Sequence, residues 1–286
     1  MAELLKGVPV AAAINARTAA DVEMLKGKGV EPCLAIVQLG NNDADTAYAT
    51  SAKKKCAASG VAVKDVALAA DISEAELIEK INELNEDAAV HGVLILRPLP
   101  AHINDDNIRA ALKPEKDIDG ITDISLSGVF TGNSVGYAPC TAQACIEILD
   151  YYGINLKGKD VCVIGRSLVV GRPVAMMALG RNATVTVCSS ATVDTPAHAR
   201  QADVIIAAIG KAGMVDSSYL SEGQILIDVG INVNAEGKLC GDVDSSSADE
   251  AAAAYTPVPG GVGSVTTSVL MSHVVNAAKI AAEKLR

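Results

Sequence analysis

The chain has 286 residues, of which 50% are apolar and 20% are charged, and its formal charge is −10. A length of this order is typical of about two domains. The acidic balance argues against a general nucleic-acid-binding protein, because such affinity rests on cationic side chains that neutralise phosphates. No apolar run approaches the roughly 18 residues of a membrane helix, so we expect no membrane partner either.

The N-terminal residues and the cysteines predict a cytoplasmic protein. Residues 8–14 are apolar and Ala-rich, but Glu3 precedes them and only Lys6 is basic, which does not fit a secretory signal. The seven cysteines are scattered, and none forms C-x-x-C or a Cys/His cluster with zinc-ligand spacing. An odd, unclustered set is typical of reduced thiols that serve as small apolar side chains. No metal site is predicted.

The first half of the chain alternates short apolar runs with helical stretches. The predicted elements are strands at residues 34–37, 61–68 and 92–96 and helices at residues 45–60 and 73–85. The second of these helices begins with a capping box at Ser73. Residues 101–140 are rich in Asp, Gly and Pro and are predicted to be less regular. Strand–helix alternation of this kind predicts parallel strands joined by crossover helices.

A second α/β series follows. Its predicted elements are a helix at 141–152, a strand at 161–164, a helix at 171–179, strands at 184–188, 204–209 and 225–229, and a final helix at 268–285. Residues 245–247 are predicted as a loop and residues 251–254 as the start of a helix. We therefore predict an α/β fold with two domains, residues 1–139 plus 266–286 and residues 140–265, in which the last helix packs back on the first domain.

The strongest local signal is the sequence Val-Cys-Val-Ile-Gly-Arg-Ser-Leu-Val-Val-Gly, in which a strand ends at Gly165 and a helix begins near Gly171. Such a turn presents backbone N–H groups and the positive end of a helix, which suits a pyrophosphate. The spacing departs from G-x-G-x-x-G, because Ser167 takes the middle place and the last glycine comes later. A purely structural turn is the alternative, but the position at the start of an α/β series favours a nucleotide site.

The strand that follows this turn bears on the choice of cofactor. NAD-preferring sites usually carry an acid about twenty residues on, bonded to the ribose 2′-hydroxyl. Here the strand ends in Val-Cys-Ser-Ser at residues 187–190, without an acid, and Arg166 lies in the glycine turn. An absent carboxylate with Arg and Ser nearby suits a 2′-phosphate, so we predict NADP. The alternative is that Arg166 is a solvated loop charge.

Two further segments carry candidate chemistry. Residues 257–263 have the sequence Pro-Val-Pro-Gly-Gly-Val-Gly, in which the prolines stiffen the loop and the glycines let its backbone approach a flat ligand. A rigid linker is the alternative interpretation. Asp117 and Asp119 precede Gly120, a spacing that commonly marks a turn. A carboxylate there would also accept two parallel N–H bonds from the amidine-like edge of a heterocycle.

Several motifs occur in one order along the chain. They are Tyr48, Pro-Leu-Pro at 98–100, Lys-Asp-Ile-Asp-Gly at 116–120, Pro-Cys-Thr at 139–141, Gly-Arg-Ser at 165–167, Ile-Asp-Val-Gly-Ile-Asn at 227–232, Gly-Asp-Val-Asp at 241–244 and the loop at 257–263. With them the chain resembles the bifunctional methylenetetrahydrofolate dehydrogenase/methenyltetrahydrofolate cyclohydrolase family over nearly its whole length. The Asp119 motif and the 257–263 loop are the most specific.

The resemblance implies an N-terminal α/β folate domain, a Rossmann-like NADP domain, a folate cleft between them and a homodimer. Asp119 would hold the pterin ring of a tetrahydrofolate derivative, and Tyr48 would stack on the aminobenzoyl ring. Arg166 and Ser190 would meet the 2′-phosphate. The implied cofactor-binding set is Gly165, Arg166, Ser167, Gly171, Ser190 and Ile231, and the implied folate-binding set is Tyr48, Asp119, Pro259, Gly260 and Gly261.

The chain departs from the family pattern at the residues that handle protons. The general acid/base Lys, four residues after the Tyr, is Ala52 here, its partner Gln is Leu96, and a Ser before the Tyr is Asp45. Hydride transfer from the methylene carbon releases no proton through the protein, so positioning can supply most of that rate. The cyclohydrolase step moves protons, and a positioned acid or base typically contributes ~10²–10⁴ in rate. We therefore predict an NADP-dependent dehydrogenase with weak or absent cyclohydrolase activity, like the single-activity members of the family.

Two alternatives stay open. Lys55 is seven residues from Tyr48 and returns to the same helix face one turn further on, so a displaced Lys55 base would preserve both activities. A solvated lysine is the commoner meaning of such a position. We therefore take Tyr48, Asp119 and Lys55 as the candidate catalytic residues. The altered polar positions would also suit a folate- or nucleotide-binding paralogue without catalysis.

Overall fold

The computed structural model describes residues 2–40 and 42–284, apart from the side chains of residues 43–45 and 48. The chain divides into two compact units. The six-stranded unit consists of the chain up to Ala12 together with Pro139–Thr266. The three-stranded unit consists of Ala13–Ala138 together with the chain from Thr267 onward.

Strands and helices alternate along most of the chain, which confirms the α/β class. The strands are β1 (Glu3–Leu4), β2 (Cys33–Leu39), β3 (Ala62–Leu68), β4 (Gly92–Ile95), β5 (Asp160–Ile164), β6 (Thr184–Cys188), β7 (Val204–Ala207), β8 (Ile225–Asp228), β9 (Asn232–Val233), β10 (Leu239–Cys240) and β11 (Ala254–Tyr255). The helices are α1 (Gly7–Lys26), α2 (Asp43–Ser59), α3 (Glu74–Glu86), α4 (Asp105–Ala111), α5 (Asp123–Thr131), α6 (Cys140–Tyr151), α7 (Gly171–Gly180), α8 (Thr195–Arg200), α9 (Ser245–Ala251) and α10 (Thr266–Lys284).

The sheet of the three-stranded unit has the order β3-β2-β4, with both pairs parallel. The β2 and β4 strands are apolar and largely buried, as parallel strands covered on both faces require. Because β2 lies between the other two strands, the strand order reverses there. The carboxyl ends of β2 and β4 lie side by side, with Val37 opposite Ile95. Open α/β sheets bind ligands at such a reversal point.

Helix α3 shows how local sequence specifies a helix of this unit. The Ser73 hydroxyl accepts from the Glu76 N–H at 3.3 Å, and the Glu76 carboxylate accepts from the Ser73 N–H at 3.0 Å, which confirms the predicted capping box. Leu77, Ile81 and Leu84 recur at helical spacing and join the buried apolar cluster of the sheet. The helix therefore has both a fixed start and a buried face.

The sheet of the six-stranded unit has the order β1-β11-β8-β7-β5-β6, and all of its pairs are parallel. Its order also reverses, because β5 lies between β6 and β7. The central strands carry fully buried residues such as Val163, Ile205 and Leu226. This is the doubly wound arrangement of a Rossmann-like domain, with its ligand edge expected between the ends of β5 and β7.

The pairing of β1 determines to which unit the N-terminal residues are assigned. Glu3 and Leu4 pair with Ala254 and Tyr255 of β11, so the chain up to Ala12 groups with the six-stranded unit. The sequence-based division assigns these residues to the first domain instead, because a two-residue strand carries too little pattern to be recognised. The domain limits themselves stay a prediction.

The structure also contains elements that the sequence analysis did not predict or predicted wrongly. Helix α1 was not predicted, and α4 and α5 lie within the stretch expected to be irregular. Residues 245–247, predicted as a loop, begin α9, because the Asp244 carboxylate accepts from the Ser247 N–H at 2.8 Å and caps the helix. Ala254, predicted at a helix start, lies in β11, where pairing with β1 and β8 overrides the helix preference of alanine.

The cysteines behave as small apolar side chains. None of the seven forms a disulfide, and five of them are buried. Burial raises the pKa of the Cys145 thiol to about 12, so it stays protonated at neutral pH. Among the described His, Cys, Asp and Glu side chains, no group of three or more is placed to hold a metal ion. No helix in the described part of the chain has the length and apolar character needed to cross a membrane.

Candidate functional site

A glycine turn follows β5 at the point where the six-stranded sheet reverses its order. Gly165 has a φ of +127°, and a Cβ on it would overlap the carbonyl oxygen of Ala208. Ala208 in turn donates its N–H to the carbonyl oxygen of Ile164 at 2.8 Å. The turn therefore lies against the loop after β7 and accepts only a residue without a side chain.

The turn leads directly into α7. The Ser167 hydroxyl accepts from the Val170 N–H at 3.1 Å, and the Ser167 carbonyl oxygen accepts from the Arg172 N–H at 3.0 Å. A Cβ on Gly171 would overlap the carbonyl oxygen of Gly165, so the helix starts very close to the strand end. The positive partial charge of the helix start then lies beside the turn, which suits a phosphate.

The end of β6 supplies the second part of this site. Gly165 donates its N–H to the carbonyl oxygen of Cys188 at 2.9 Å, which joins the ends of β5 and β6. Arg166 and Ser190 follow these two strand ends. Arg166 and Ser190 are both exposed, and residues 187–190 contain no acid. Five of the six predicted cofactor residues thus share one edge of the sheet. Their chemistry fits NADP, because a cation and a hydroxyl stand where an NAD site would carry a carboxylate.

The sixth predicted cofactor residue, Ile231, lies in another part of the same unit. It lines a cavity of about 210 Å³ together with the proline–glycine loop that contains Pro259, Gly260 and Gly261. The Gly260 carbonyl oxygen accepts from the Gly7 N–H at 2.8 Å, which ties the loop to the start of α1. The structure therefore brings Ile231 and the three predicted folate-binding residues of this loop to one cavity.

Two buried aspartates, which the sequence analysis did not single out, hold the loops of this unit together. The Asp242 carboxylate accepts at 2.6–3.0 Å from four donors, the N–H groups of Ile209, Gly210 and Lys211 and the side-chain amide of Asn232. The Asp228 carboxylate accepts at 2.9 Å from the N–H groups of Gly230, Asp242 and Val243. Both acids lie in motifs that the sequence analysis noted, Ile-Asp-Val-Gly-Ile-Asn at 227–232 and Gly-Asp-Val-Asp at 241–244, but no role was expected for either acid.

Burial perturbs one of these carboxyl groups strongly. It raises the pKa of Asp228 to about 6, and the neighbouring Asp242 adds to the rise, while the backbone N–H donors oppose it. A Cβ on Gly241 would overlap the Asp228 carboxylate, and a Cβ on Gly230 would overlap the Asp242 carboxylate. Glycine at both positions therefore lets the carboxylates reach the backbone, and the loops after β7 and β8 are fixed without a ligand.

In the three-stranded unit, the two acids before Gly120 differ. Asp117 is fully buried, and its carboxylate accepts from the N–H groups of Ile121 and Thr122 at 2.9 and 2.8 Å and from the Ser125 hydroxyl at 2.6 Å. Asp117 therefore forms the turn. Asp119 is only partly buried, so it is the acid of the motif that a ligand can reach.

The two substituted positions are apolar and buried. Ala52 on α2 is 2% exposed, and Leu96 is 5% exposed. Leu96 directly follows β4 and donates its N–H to the carbonyl oxygen of Val37 at 2.9 Å, so it lies beside β2 at the reversal point of this sheet. Neither position offers a group that can carry a proton.

The lysines of α2 lie on its accessible side. Lys53 forms an ion pair with Asp65 of β3, and Lys55 is exposed to solvent. The side chains of Tyr48 and Asp45 lie outside the described residues. The stacking residue and the displaced base therefore stay predictions.

Comparison with known proteins agrees with this arrangement of two units. The family model for the tetrahydrofolate dehydrogenase/cyclohydrolase catalytic domain matches residues 5–119. The model for the tetrahydrofolate dehydrogenase/cyclohydrolase NAD(P)-binding domain matches residues 139–282. Together they span most of the chain.

Individual relatives match along the whole chain. A protein of Clostridioides difficile named bifunctional protein FolD is 45% identical over 278 residues, which are 97% of each chain. The crystal structure of the FolD methylenetetrahydrofolate dehydrogenase/cyclohydrolase from Campylobacter jejuni is 40% identical, with a TM-score of 0.95 over 98% of this chain and 99% of that one. The Trypanosoma brucei enzyme, complexed with NADP and an inhibitor, is 33% identical, with a TM-score of 0.90 over 100% of this chain and 99% of that one.

Proposed function

The chain belongs to the tetrahydrofolate dehydrogenase/cyclohydrolase family, as an NADP-dependent dehydrogenase, and we propose that it oxidises 5,10-methylenetetrahydrofolate to 5,10-methenyltetrahydrofolate with weak or absent cyclohydrolase activity. The observation that carries this proposal is the contrast at the two ligand edges. The nucleotide edge keeps its glycine turn and acid-free strand end, whereas Ala52 and Leu96 are buried apolar residues.

The oxidation requires the protein to position the two ligands and does not require it to transfer a proton. A lone pair on a ring nitrogen of the substrate forms a C=N bond as the methylene carbon gives up a hydride, so no proton leaves. Bound NADP supplies the hydride acceptor. The residues of this chain contribute by holding the two ligands in reacting geometry, which can account for a large part of such a rate. Asp119 is proposed to hold the pterin ring, and Gly165, Gly171 and Arg166 the nucleotide.

The hydrolytic step has different requirements. Water attacks the methenyl cation, and protons then move to and from nitrogen and oxygen, which calls for a positioned acid or base. Ala52 and Leu96 provide none, and Lys53 is engaged with Asp65. The product of the oxidation would therefore leave the enzyme largely unhydrolysed.

A bifunctional enzyme is the second candidate. It is favoured by the relative from Clostridioides difficile, which is named bifunctional, and by the exposed Lys55, whose amine would act as a displaced base. In that case Lys55→Met would abolish hydrolysis and leave NADP reduction intact. If Lys55→Met keeps both activities, Lys55 is not the base.

The deciding experiment measures both half-reactions on one preparation. NADP and NAD are compared as acceptors with 5,10-methylenetetrahydrofolate, and the decay of the methenyl product is followed with and without enzyme. We expect reduction of NADP in preference to NAD and little enzyme-dependent decay. Binding of both ligands without turnover would instead support a non-catalytic paralogue, and rapid enzyme-dependent decay would support the bifunctional enzyme.

We further propose a cytoplasmic homodimer. The β6 strand forms one edge of the six-stranded sheet, and its Val187 is 42% exposed. An open edge with an apolar side chain favours pairing with a second copy. Light scattering after size-exclusion chromatography measures the mass directly, and a single-chain mass at micromolar concentration would contradict the proposal.

A further inference from the structure

Among the described residues, two buried donors of the Arg97 side chain have no hydrogen-bond partner. It follows β4 by two residues, at the edge where the three-stranded sheet reverses its order. Its Nη1 forms an ion pair with Asp105, but Nε and Nη2 are buried and have no hydrogen-bond partner among the described residues. Each buried donor left unpaired costs about 1–3 kcal/mol, and native proteins contain few of them. Two on one side chain at a ligand edge indicate that a ligand supplies the acceptor.

The charges around Arg97 define what kind of ligand group fits. Burial and the neighbouring Arg109 lower the pKa of the Arg97 guanidinium, while Asp119 and Asp117 counteract this. The group stays positively charged, as arginine does in proteins. Asp117 is committed to its three donors in the turn. Arg97 and Asp119 therefore act as a neighbouring donor and acceptor at one edge.

We infer that Arg97 and Asp119 together recognise the 2-amino-4-oxo edge of the folate ring, with Arg97 donating to the 4-oxo oxygen. The inference rests on the proposed function. Along this edge the ring presents two N–H donors and then a carbonyl acceptor. A carboxylate accepts the two N–H bonds side by side, and an adjacent guanidinium supplies the donors for the carbonyl.

This pairing makes Arg97 a specificity-determining residue. A ring with a 4-amino group carries N–H bonds where the 4-oxo ring carries its acceptor, so donor would face donor. Buried polar groups left unpaired in this way discriminate strongly between similar ligands.

The test compares two unreactive ligands, folic acid, which has a 4-oxo group and an N3–H, and aminopterin, which has a 4-amino group and an N3 without a proton. Their Kd values are measured by calorimetry in the presence of NADP for the wild type, Arg97→Leu, Arg97→Lys and Arg109→Met. We expect the wild type to bind folic acid at least about tenfold more tightly, the increment of one hydrogen bond to a charged group. Arg97→Leu should lower the ratio of the two Kd values by about tenfold, because only the preference that comes from Asp119 and the N3–H remains, and Arg97→Lys should give an intermediate ratio.

Arg109→Met is the matched control. It removes a positive charge from the same cluster. The Arg109 guanidinium forms ion pairs with Asp105, Asp106 and Asp123, and only its Nε is buried without a hydrogen-bond partner among the described residues. The wild-type ratio should therefore persist. A purely structural role of Arg97 would weaken both ligands equally and leave the ratio unchanged, so the ratio separates the two roles.

Two results would overturn the inference: no preference for folic acid in the wild type, or an unchanged ratio in Arg97→Leu. Circular dichroism reports whether Arg97→Leu is folded, and if it is not, the ratio of Arg97→Lys decides in the same way. Failure of the proposed function is distinct. It would appear as absent NADP reduction by the wild type with 5,10-methylenetetrahydrofolate, whatever the ratio of the two Kd values.

Discussion

The proposed ligand-binding edges of the two units differ in composition. In the six-stranded unit the edge is mostly backbone: a glycine turn, the start of α7 and loops held by two carboxylates. In the three-stranded unit it consists of side chains on α2, after β4 and in the Asp119 turn. A backbone site tolerates few substitutions, because a Cβ at Gly165 or Gly171 would overlap a carbonyl oxygen. We expect a side-chain site to be able to lose one chemical step and keep its shape, as proposed here for Ala52 and Leu96.

The largest effect is expected from restoring the missing polar pair. The double variant Ala52→Lys, Leu96→Gln should raise enzyme-dependent hydrolysis of the methenyl product by ~10²–10⁴, the usual contribution of a positioned acid or base. The decay of the product is followed spectroscopically. Ala57→Lys, which adds the same charge on an exposed position of α2, is the control and should change nothing. An unaltered decay in a folded, NADP-reducing double variant would mean that other residues set the hydrolytic rate.

Asp119→Ala should come next. Removing a carboxylate that accepts two hydrogen bonds costs about 3 kcal/mol or more, which is on the order of 10²-fold in affinity. We expect this loss for folate and unchanged binding of NADP, both measured by calorimetry. Glu115→Ala removes an exposed acid of the same unit and serves as the control. Equal folate affinity in Asp119→Ala would show that the pterin binds elsewhere.

A glycine pair sharpens the contrast between backbone and side-chain sites. Gly158 and Gly165 flank β5, and both have a positive φ, of +72° and +127°. A Cβ on Gly158 would meet nothing within 4 Å, whereas one on Gly165 would overlap Ala208. Gly158→Ala should cost only the strain of about 1–2 kcal/mol. Gly165→Ala should cost about 1–3 kcal/mol more and weaken NADP binding. Urea unfolding and titration with NADP measure the two quantities, and equal costs would contradict the overlap.

The smallest effect concerns pH. Because burial raises the pKa of Asp228 to about 6 in the folded state, its contribution to stability is fully present below the unfolded value of about 3.9 and is lost as the pH rises through 6. At about 1.4 kcal/mol per pKa unit the loss reaches about 2–3 kcal/mol. It is measured as the difference in unfolding free energy between the wild type and Asp228→Asn at pH 4.5 and pH 7. A difference that does not change with pH would place the pKa near its ordinary value.

The sequence predicts the elements that carry their own signal. The strands β2, β4, β5, β7 and β8 each contain a continuous apolar run, and α3 has its capping box. Helix α9 and strand β11 were missed, because an aspartate cap looks like a loop and a two-residue strand is defined only by its neighbours. The glycine turn after β5 could be recognised, because its glycines lie close together in the sequence. The contacts of Asp242 join segments up to 33 residues apart, and nothing in the local sequence predicts them.

The Asp242 carboxylate makes three stretches of chain into one rigid piece: residues 209–211, Asn232 and its own loop. The conformational entropy of these three stretches is lost when the chain folds and not when the nucleotide binds. Association with NADP should therefore be a single encounter at a rate typical of preformed pockets, with no slower closing phase in stopped-flow traces.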